Sequence, residues 1–234
     1  MDKLLDFTDK TILITGAGSG FGKLLAKKFG ERGANLVLAD INTEALECVA
    51  DELQGGQGTV ITQTANIAKE DDHRALVDAA IAAFGGIDIA INNAGISQQS
   101  SILHKMEEAS FDAQIGVNLK GVFFGMKHQL KAMIKSGGGS ILNVSSIAGT
   151  EAAPTVAGYG AAKHGVIGLT KTAAVEYGSK GVRVNAVCPF LSIVRARRGD
   201  GSKCARCYCH AQPHETHWRT TRNCQHNGVA VFTC

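Results

Sequence analysis

The chain has 234 residues, 44% of them hydrophobic and 19% charged, which suits one α/β domain with a sizeable buried core. This balance excludes a disordered or collagen-like chain. No apolar run approaches the roughly 18–20 residues of a membrane span, and the opening MDKLLDF lacks the apolar core of a signal peptide. The formal net charge of +3 is unevenly spread: residues 1–189 carry 17 Lys and Arg against 19 Asp and Glu, whereas 190–234 carry 7 against 2. Five of the seven cysteines, four of the eight histidines and the only tryptophan also lie in the last stretch. The chain is therefore read as two parts, 1–189 and 190–234.

In chain order, apolar and β-branched runs predict strands at 11–15, 35–40, 59–66, 87–92, 140–145 and 183–188. Between them, apolar spacing of three and four predicts helices, notably over 71–84, 111–134 and 158–177. Strands alternating with helices imply βαβ units and a parallel sheet covered on both faces. The nearly unbroken apolar strands ILIT, NLVLAD and IDIAIN agree with burial from both sides.

The first strand leads into Thr15-Gly16-Ala17-Gly18-Ser19-Gly20-Phe21-Gly22. Glycines there let backbone approach a pyrophosphate, and the following helix turns free N–H groups and its positive dipole end toward it. Asp40 closes the second strand, where an acid binds both ribose hydroxyls of NAD and repels the 2′-phosphate of NADP. NAD is thus favoured over NADP.

Further motifs follow in order: Asn92-Asn93-Ala94-Gly95 after the fourth strand, Asn118 within Val-Asn-Leu, Ser146 at the end of ILNVSS, and Tyr159-Gly-Ala-Ala-Lys163. With the glycine turn they make the chain resemble the short-chain dehydrogenase/reductase family over about residues 8–189. The resemblance implies a Rossmann-like doubly wound parallel sheet with helices on both faces. It also implies that Gly16, Ser19, Gly20, Phe21, Gly22, Asp40, Asn66, Ile67, Asn93, Ala94, Gly95, Tyr159, Lys163 and Pro189 contact the cofactor, and that family members form dimers or tetramers. Asn66 stands where the family usually has an aspartate facing adenine; its amide oxygen still accepts a hydrogen bond. Phe190 follows Pro189 where the family usually has glycine.

The chemistry also follows from the residues. Tyr159 and Lys163 are four apart on a helix and share a face. A phenol ordinarily titrates near pH 10, and a neighbouring ammonium favours its phenolate, making it a base for an alcohol proton. Ser146 would hold the substrate oxygen and stabilise developing charge; Ser145 is the competing hydroxyl. By resemblance, Lys163 also binds the nicotinamide ribose and Asn118 supports a water that relays protons. His104, His128 and His164 read as surface or packed histidines rather than ligands.

After residue 189 the resemblance stops, so the last strand and the substrate lid are expected to be missing, with strand 183–188 left as an open edge. Cys204, Cys207, Cys209, His210, His214, His217, Cys224 and His226 are ligand types for zinc, but lack a second well-spaced pair and an apolar shell. A shifted reading frame fits better. Codons for Glu215 to Val231, read one nucleotide later, permit K-R-I-G-E-P-Q-E-I-A-N-I-M-V-L-L, which resembles the family's R-x-G-x-P-x-E-I-A segment.

The sequence thus predicts an enzyme domain over 1–189 and an aberrant tail over 190–234. The reaction expected is hydride transfer between NAD(H) and a secondary alcohol or ketone, with no metal, nucleic-acid or membrane partner and a homo-oligomeric assembly. The only two cysteines of 1–189, Cys48 and Cys188, point to a reduced, cytoplasmic setting. The polypeptide as written is expected to be weakly active and prone to aggregate. The alternatives are a non-catalytic dinucleotide-binding protein and the same domain carrying a metal-binding tail. The substrate itself is not legible; it depends on 96–102, 149–156 and the loop after Pro189.

Overall fold

The computed structural model describes residues 5–189 and a short strand at Val229–Phe232. Six parallel strands form the body of the sheet: β1 (Thr11–Thr15), β2 (Asn35–Asp40), β3 (Val60–Thr64), β4 (Ile89–Asn92), β5 (Gly139–Val144) and β6 (Val182–Pro189). Their order is β3-β2-β1-β4-β5-β6, so the chain reverses direction of travel between β1 and β4. In such sheets a crevice opens beyond the carboxyl ends of the strands at that reversal.

Alternation within the strands explains why both faces are covered. Ile12, Ile14, Leu36 and Leu38 point to one side and pack with Ala26, Leu46 and Val49 of helices α1 (Gly20–Gly30) and α2 (Thr43–Glu52). Leu13, Val37 and Ala39 point to the other and join Leu76, Val122, Met133 and Val166. These belong to helices α3 (Glu70–Phe84), α5 (Gly121–Lys135) and α6 (Ala157–Tyr177). Among the described residues no helix is long and apolar enough to cross a membrane.

The sheet also encloses a polar seam. Asn92 donates to Gln129 Oε1 at 3.0 Å and to Asn143 Oδ1 at 2.9 Å, and Gln129 returns a bond to Asn92 Oδ1 at 2.8 Å. Asn143 in turn donates to Thr170 Oγ1 at 3.0 Å. All four side chains are buried, so an unmatched amide among them would be costly. The seam therefore fixes β4, β5, α5 and α6 in register directly behind Asn93 and Ser145.

Three expectations change. The strand expected over 59–66 ends at Thr64, because Asn66 Oδ1 accepts from Ala68 N at 3.0 Å and Asn66 N donates to Asp72 Oδ2 at 2.8 Å, turning the chain away. The single helix expected over 111–134 is α4 (Glu108–Gln114), a π-helical turn (Ile115–Lys120) and α5. Such single π-helical turns are rare overall but frequent at functional sites, and this one contains Asn118. Finally, β6 is not an open edge: β7 (Val229–Phe232) pairs with it antiparallel, placing Ala186 opposite Phe232 and Pro189 opposite Val229. The run Val-Ala-Val-Phe suits a strand, and its pairing covers the outer edge of β6 over Ala186–Pro189. The metal-ligand types of the tail, from Cys204 to His226, and Phe190 lie outside the described residues, as does the segment covered by the shifted-frame reading apart from its last residues.

Candidate active site

The turn after β1 is held open by backbone geometry. Gly16 adopts φ +68°, and a Cβ on Gly22 would lie 2.0 Å from the Gly16 carbonyl oxygen, so only glycine fits at 22. Asn93 fastens this turn from β4: its Nδ2 donates to the carbonyls of Thr15 at 3.0 Å and Gly16 at 3.2 Å. Thr15 Oγ1 returns the contact by accepting from the N–H groups of Asn93 and Ala94, each at 3.1 Å. Thr15 was not among the expected site residues; its only sequence signal is a hydroxyl directly before the glycine turn. Ser19 precedes α1 without a side-chain cap, and the first turn of α1 has no acidic residue, so its positive end faces the crevice unopposed.

Asp40, at the end of β2, reaches across to the turn. Its Oδ2 accepts from Gly18 N at 2.9 Å and its Oδ1 from Asn42 N at 3.0 Å, which orients the carboxylate and leaves each oxygen further acceptor capacity. Asn66 Oδ1 is already engaged with Ala68 N and likewise keeps one acceptor position. Ile67 is nearly buried, its carbonyl bonded to His73 Nε2 at 2.9 Å. Burial holds the His73 imidazole below its ordinary value, and it packs behind the crevice instead of facing it.

Farther along the crevice, a cavity of about 440 Å³ is lined by Phe21, Asn118, Ser146, Tyr159, Lys163 and Pro189, among others. It brings the expected reacting residues together with Asn93 and Gly95. Gly16, Ser19, Gly20, Gly22, Asp40, Asn66, Ile67 and Ala94 do not line it; the turn and Asp40 lie along the β1–β2 stretch of the same crevice. Ser145 and Ser146 separate clearly. Ser145 is buried, and its Oγ donates to the Lys163 carbonyl at 2.9 Å. Ser146 Oγ accepts only from Ala148 N, at 3.2 Å; both serines border the cavity, and the difference is that the Ser145 hydroxyl is already donated to the Lys163 carbonyl.

Lys163 is 4% exposed, yet its ammonium has a fixed place: Nζ donates to the Val144 carbonyl at 2.7 Å and lies 5.6 Å from the centre of the Tyr159 ring. Burial lowers its pKa from 10.5 to about 8, with the nearby Cys188 thiol acting in the opposite direction. The same burial pushes the Cys188 thiol up. Both ends of the Asn118 side chain are engaged. Its Oδ1 accepts from Ile96 N at 2.9 Å, and its Nδ2 donates to Ile96 O at 2.9 Å and Gln114 Oε1 at 2.6 Å.

A parallel sheet reversing between β1 and β4, with a glycine turn and an acid at the end of β2, has the features of a dinucleotide-binding domain of the α/β class. A sequence model described as short chain dehydrogenase matches residues 10–197. Cyclohexanol dehydrogenase of Acinetobacter sp. (strain SE19) is 42% identical over 191 residues, covering 81% of this chain and 76% of the relative. The 2,5-dichloro-2,5-cyclohexadiene-1,4-diol dehydrogenase of Sphingobium indicum (strain DSM 16412) is 43% identical over 185 residues, covering 79% and 73%. Among solved structures, NAD⁺-bound xylitol dehydrogenase superposes with a TM-score of 0.77 at 32% identity, covering 79% of this chain and 71% of the other. The chain belongs to the short-chain dehydrogenase/reductase family, and is a nicotinamide-dinucleotide-dependent enzyme acting on CH–OH groups.

The Lys163 geometry yields a prediction. Below pH 8 both folded and unfolded chains hold the proton, and the folded chain bears the cost of burying the ammonium. Between about 8 and 10.5 only the unfolded chain keeps it, so folding gains stability as pH rises. The unfolding free energy of the wild type minus that of Lys163→Met should therefore increase by about 2–3 kcal/mol from pH 7 to pH 10, measured by urea denaturation. A difference independent of pH would contradict this.

Proposed function

We propose that the chain is an NAD-preferring dehydrogenase that interconverts a cyclic secondary alcohol and its ketone, with Ser146, Tyr159 and Lys163 as the reacting face and 1–189 as its domain. The observation that carries this reading is the shared cavity of these three side chains, with Ser145 withdrawn into a structural bond. The ring preference rests on relatives named for cyclohexanol and for a cyclohexadiene diol.

The residues present fit a dinucleotide. Space for its pyrophosphate is kept by the absent Cβ of Gly22 and the uncapped start of α1, while Asp40 offers acceptors to the ribose hydroxyls. When bound, the nicotinamide supplies the hydride acceptor in oxidation and the donor in reduction. Ser146 then holds the substrate oxygen, and Tyr159 takes the alcohol proton in oxidation or returns it in reduction. The fixed positive charge of Lys163, 5.6 Å from the Tyr159 ring centre, stabilises negative charge on the phenol oxygen. Asn118, with its side chain bound to Ile96 and Gln114, contributes by shaping this wall; a proton-relaying water would rest on its main chain. Gly95 belongs to the same wall, since a Cβ there would meet Asn118 Oδ1 at 2.7 Å.

Self-association is part of the proposal. An apolar groove of about 720 Å³ between α5 and α6 is lined by Phe123, Leu130, Ile134, Leu169 and Tyr177, well away from the cavity. Phe123 is 44% exposed in it, a surface of the kind that a second copy covers in a homo-oligomer. We also propose that 190–234 is the product of a shifted reading frame, so that turnover by this chain is slow for want of the substrate lid. The nucleotide sequence around the Phe190 codon tests that.

Two variants test the catalytic reading. Tyr159→Phe should lower the rate of NADH formation from cyclohexanol and NAD by about a thousandfold, while the NADH dissociation constant from fluorescence titration stays within about twofold. Unchanged turnover in this variant would remove Tyr159 from the chemistry, and absence of turnover in the parent would favour a non-catalytic binder. Asp40→Asn keeps the shape but removes the charge, so the ratio of NADPH to NADH affinity should rise by about tenfold or more. An unchanged ratio in paired titrations would remove Asp40 from the cofactor site.

A further inference from the structure

Helix α6 carries both Tyr159 and Lys163, so its first turn sets where the phenol stands. The first N–H groups of any helix lack partners within it. Here Val156, at the start of α6, provides no side-chain cap. The N–H of Tyr159 is met from outside: it donates to Gln98 Oε1 at 2.8 Å, from a residue 61 positions earlier in the chain. Because a backbone N–H only donates, the amide oxygen of Gln98 must face it. Its Nε2 lies 4.0 Å from Met106 Sδ, a weak acceptor. Gly158 makes room for this approach, since a Cβ there would sit 3.1 Å from Gln98 Oε1 and 3.3 Å from Phe111.

Gln98 is itself held from both sides. On one side, Ile96 is clamped by the two hydrogen bonds of Asn118, and Ser97 O accepts from Gln114 Nε2 at 3.2 Å. Gln114 is a buried glutamine whose oxygen accepts from Asn118, closing the loop. On the other side, Ser101 pairs with Val156, and Ser101 N donates to Thr155 O at 2.8 Å. Thr155 has φ +67°, an uncommon conformation for a β-branched residue, and its carbonyl is fixed by that bond. Segment 96–101 therefore runs as one strap from the π-helical turn to the start of α6.

We propose that Gln98 is a positioning residue: through the Tyr159 N–H it fixes the first turn of α6, and so the placement of the Tyr159 phenol relative to Ser146, using Asn118 and Gln114 as its anchor. This rests on Tyr159 being the proton-transferring group. Gln98 also borders the cavity, so a substitution there can alter substrate contact, but it leaves the glycine turn and Asp40 untouched. The exchange rate of the Tyr159 N–H and its recovery in a variant that restores the acceptor are what report the positioning role.

The test compares Gln98→Met, which keeps length without an acceptor at the amide position, with Gln98→Glu, which restores an acceptor oxygen. In the full chain, hydrogen exchange is followed on the peptide covering 156–161, together with kcat and KM for cyclohexanol and the NADH dissociation constant. Gln98→Met is expected to speed exchange at the Tyr159 amide by about tenfold and to lower kcat by about tenfold, from loss of one hydrogen bond. NADH affinity should stay within about twofold, whatever change in KM follows from Gln98 bordering the cavity. Gln98→Glu should return both exchange and kcat to within about threefold of the parent. Parent values for exchange and kcat in Gln98→Met, or no recovery in Gln98→Glu, would overturn the proposal. If the parent chain oxidises no secondary alcohol, the proposed function fails, while the exchange comparison still decides whether Gln98 holds this turn.

Discussion

The placement of one buried ammonium organises the site. Lys163 is almost fully enclosed, and a charge so placed is tolerated only where its donors have partners. The Val144 carbonyl supplies one at 2.7 Å, at the last residue of β5. The helix that carries Lys163 must therefore lie across the carboxyl end of β5, and Ser145 reinforces this by bonding the Lys163 carbonyl. That arrangement leaves Ser146 and Tyr159 on the open side. Burial that lowers the lysine pKa to about 8 still leaves it charged at neutral pH, so positive charge is kept beside the phenol.

The crevice has two halves, joined by the residues that follow β4. Asn93 reaches back to the glycine turn, while Gly95 and Ile96 meet Asn118. A single stretch of chain thus borders the glycine turn on one side and the cavity with Ser146, Tyr159 and Lys163 on the other. Behind it, the Asn92, Gln129, Asn143 and Thr170 seam prevents β4 and β5 from shifting independently. The precision needed for hydride transfer is supplied here by buried amides, each bonded in more than one direction.

Much of this was legible in the sequence. Thr11–Thr15 and Asn35–Asp40 emerge at the expected bounds because each is an unbroken apolar run sealed on both faces. Tyr159 and Lys163 could be paired because helical spacing puts them on one face. What was hidden depends on contacts distant in sequence. The π-helical turn at Asn118 coincides with its bonds to Ile96, and β3 stops at Thr64 where Asp72 captures the next turn. Ser145 and Ser146 look equivalent in sequence; only the Lys163 carbonyl distinguishes them. Gln98 carries no local signal, since its partner lies on another element. The β7 pairing is hidden because the four-residue apolar run at 229–232 is short and follows a stretch of cysteines, histidines and arginines with no strand pattern of its own.

The central claim is that a hydride passes directly between an alcohol carbon and the nicotinamide at the face formed by Ser146, Tyr159 and Lys163. Cyclohexanol deuterated at its carbinol carbon, incubated with NAD and the full chain, tests this by mass spectrometry of the reduced cofactor, which needs few turnovers. The account predicts one deuterium in the reduced nicotinamide, formed about a thousandfold more slowly when Tyr159 is replaced by phenylalanine. Reduced cofactor carrying only solvent hydrogen, or no reduced cofactor at all, would contradict it.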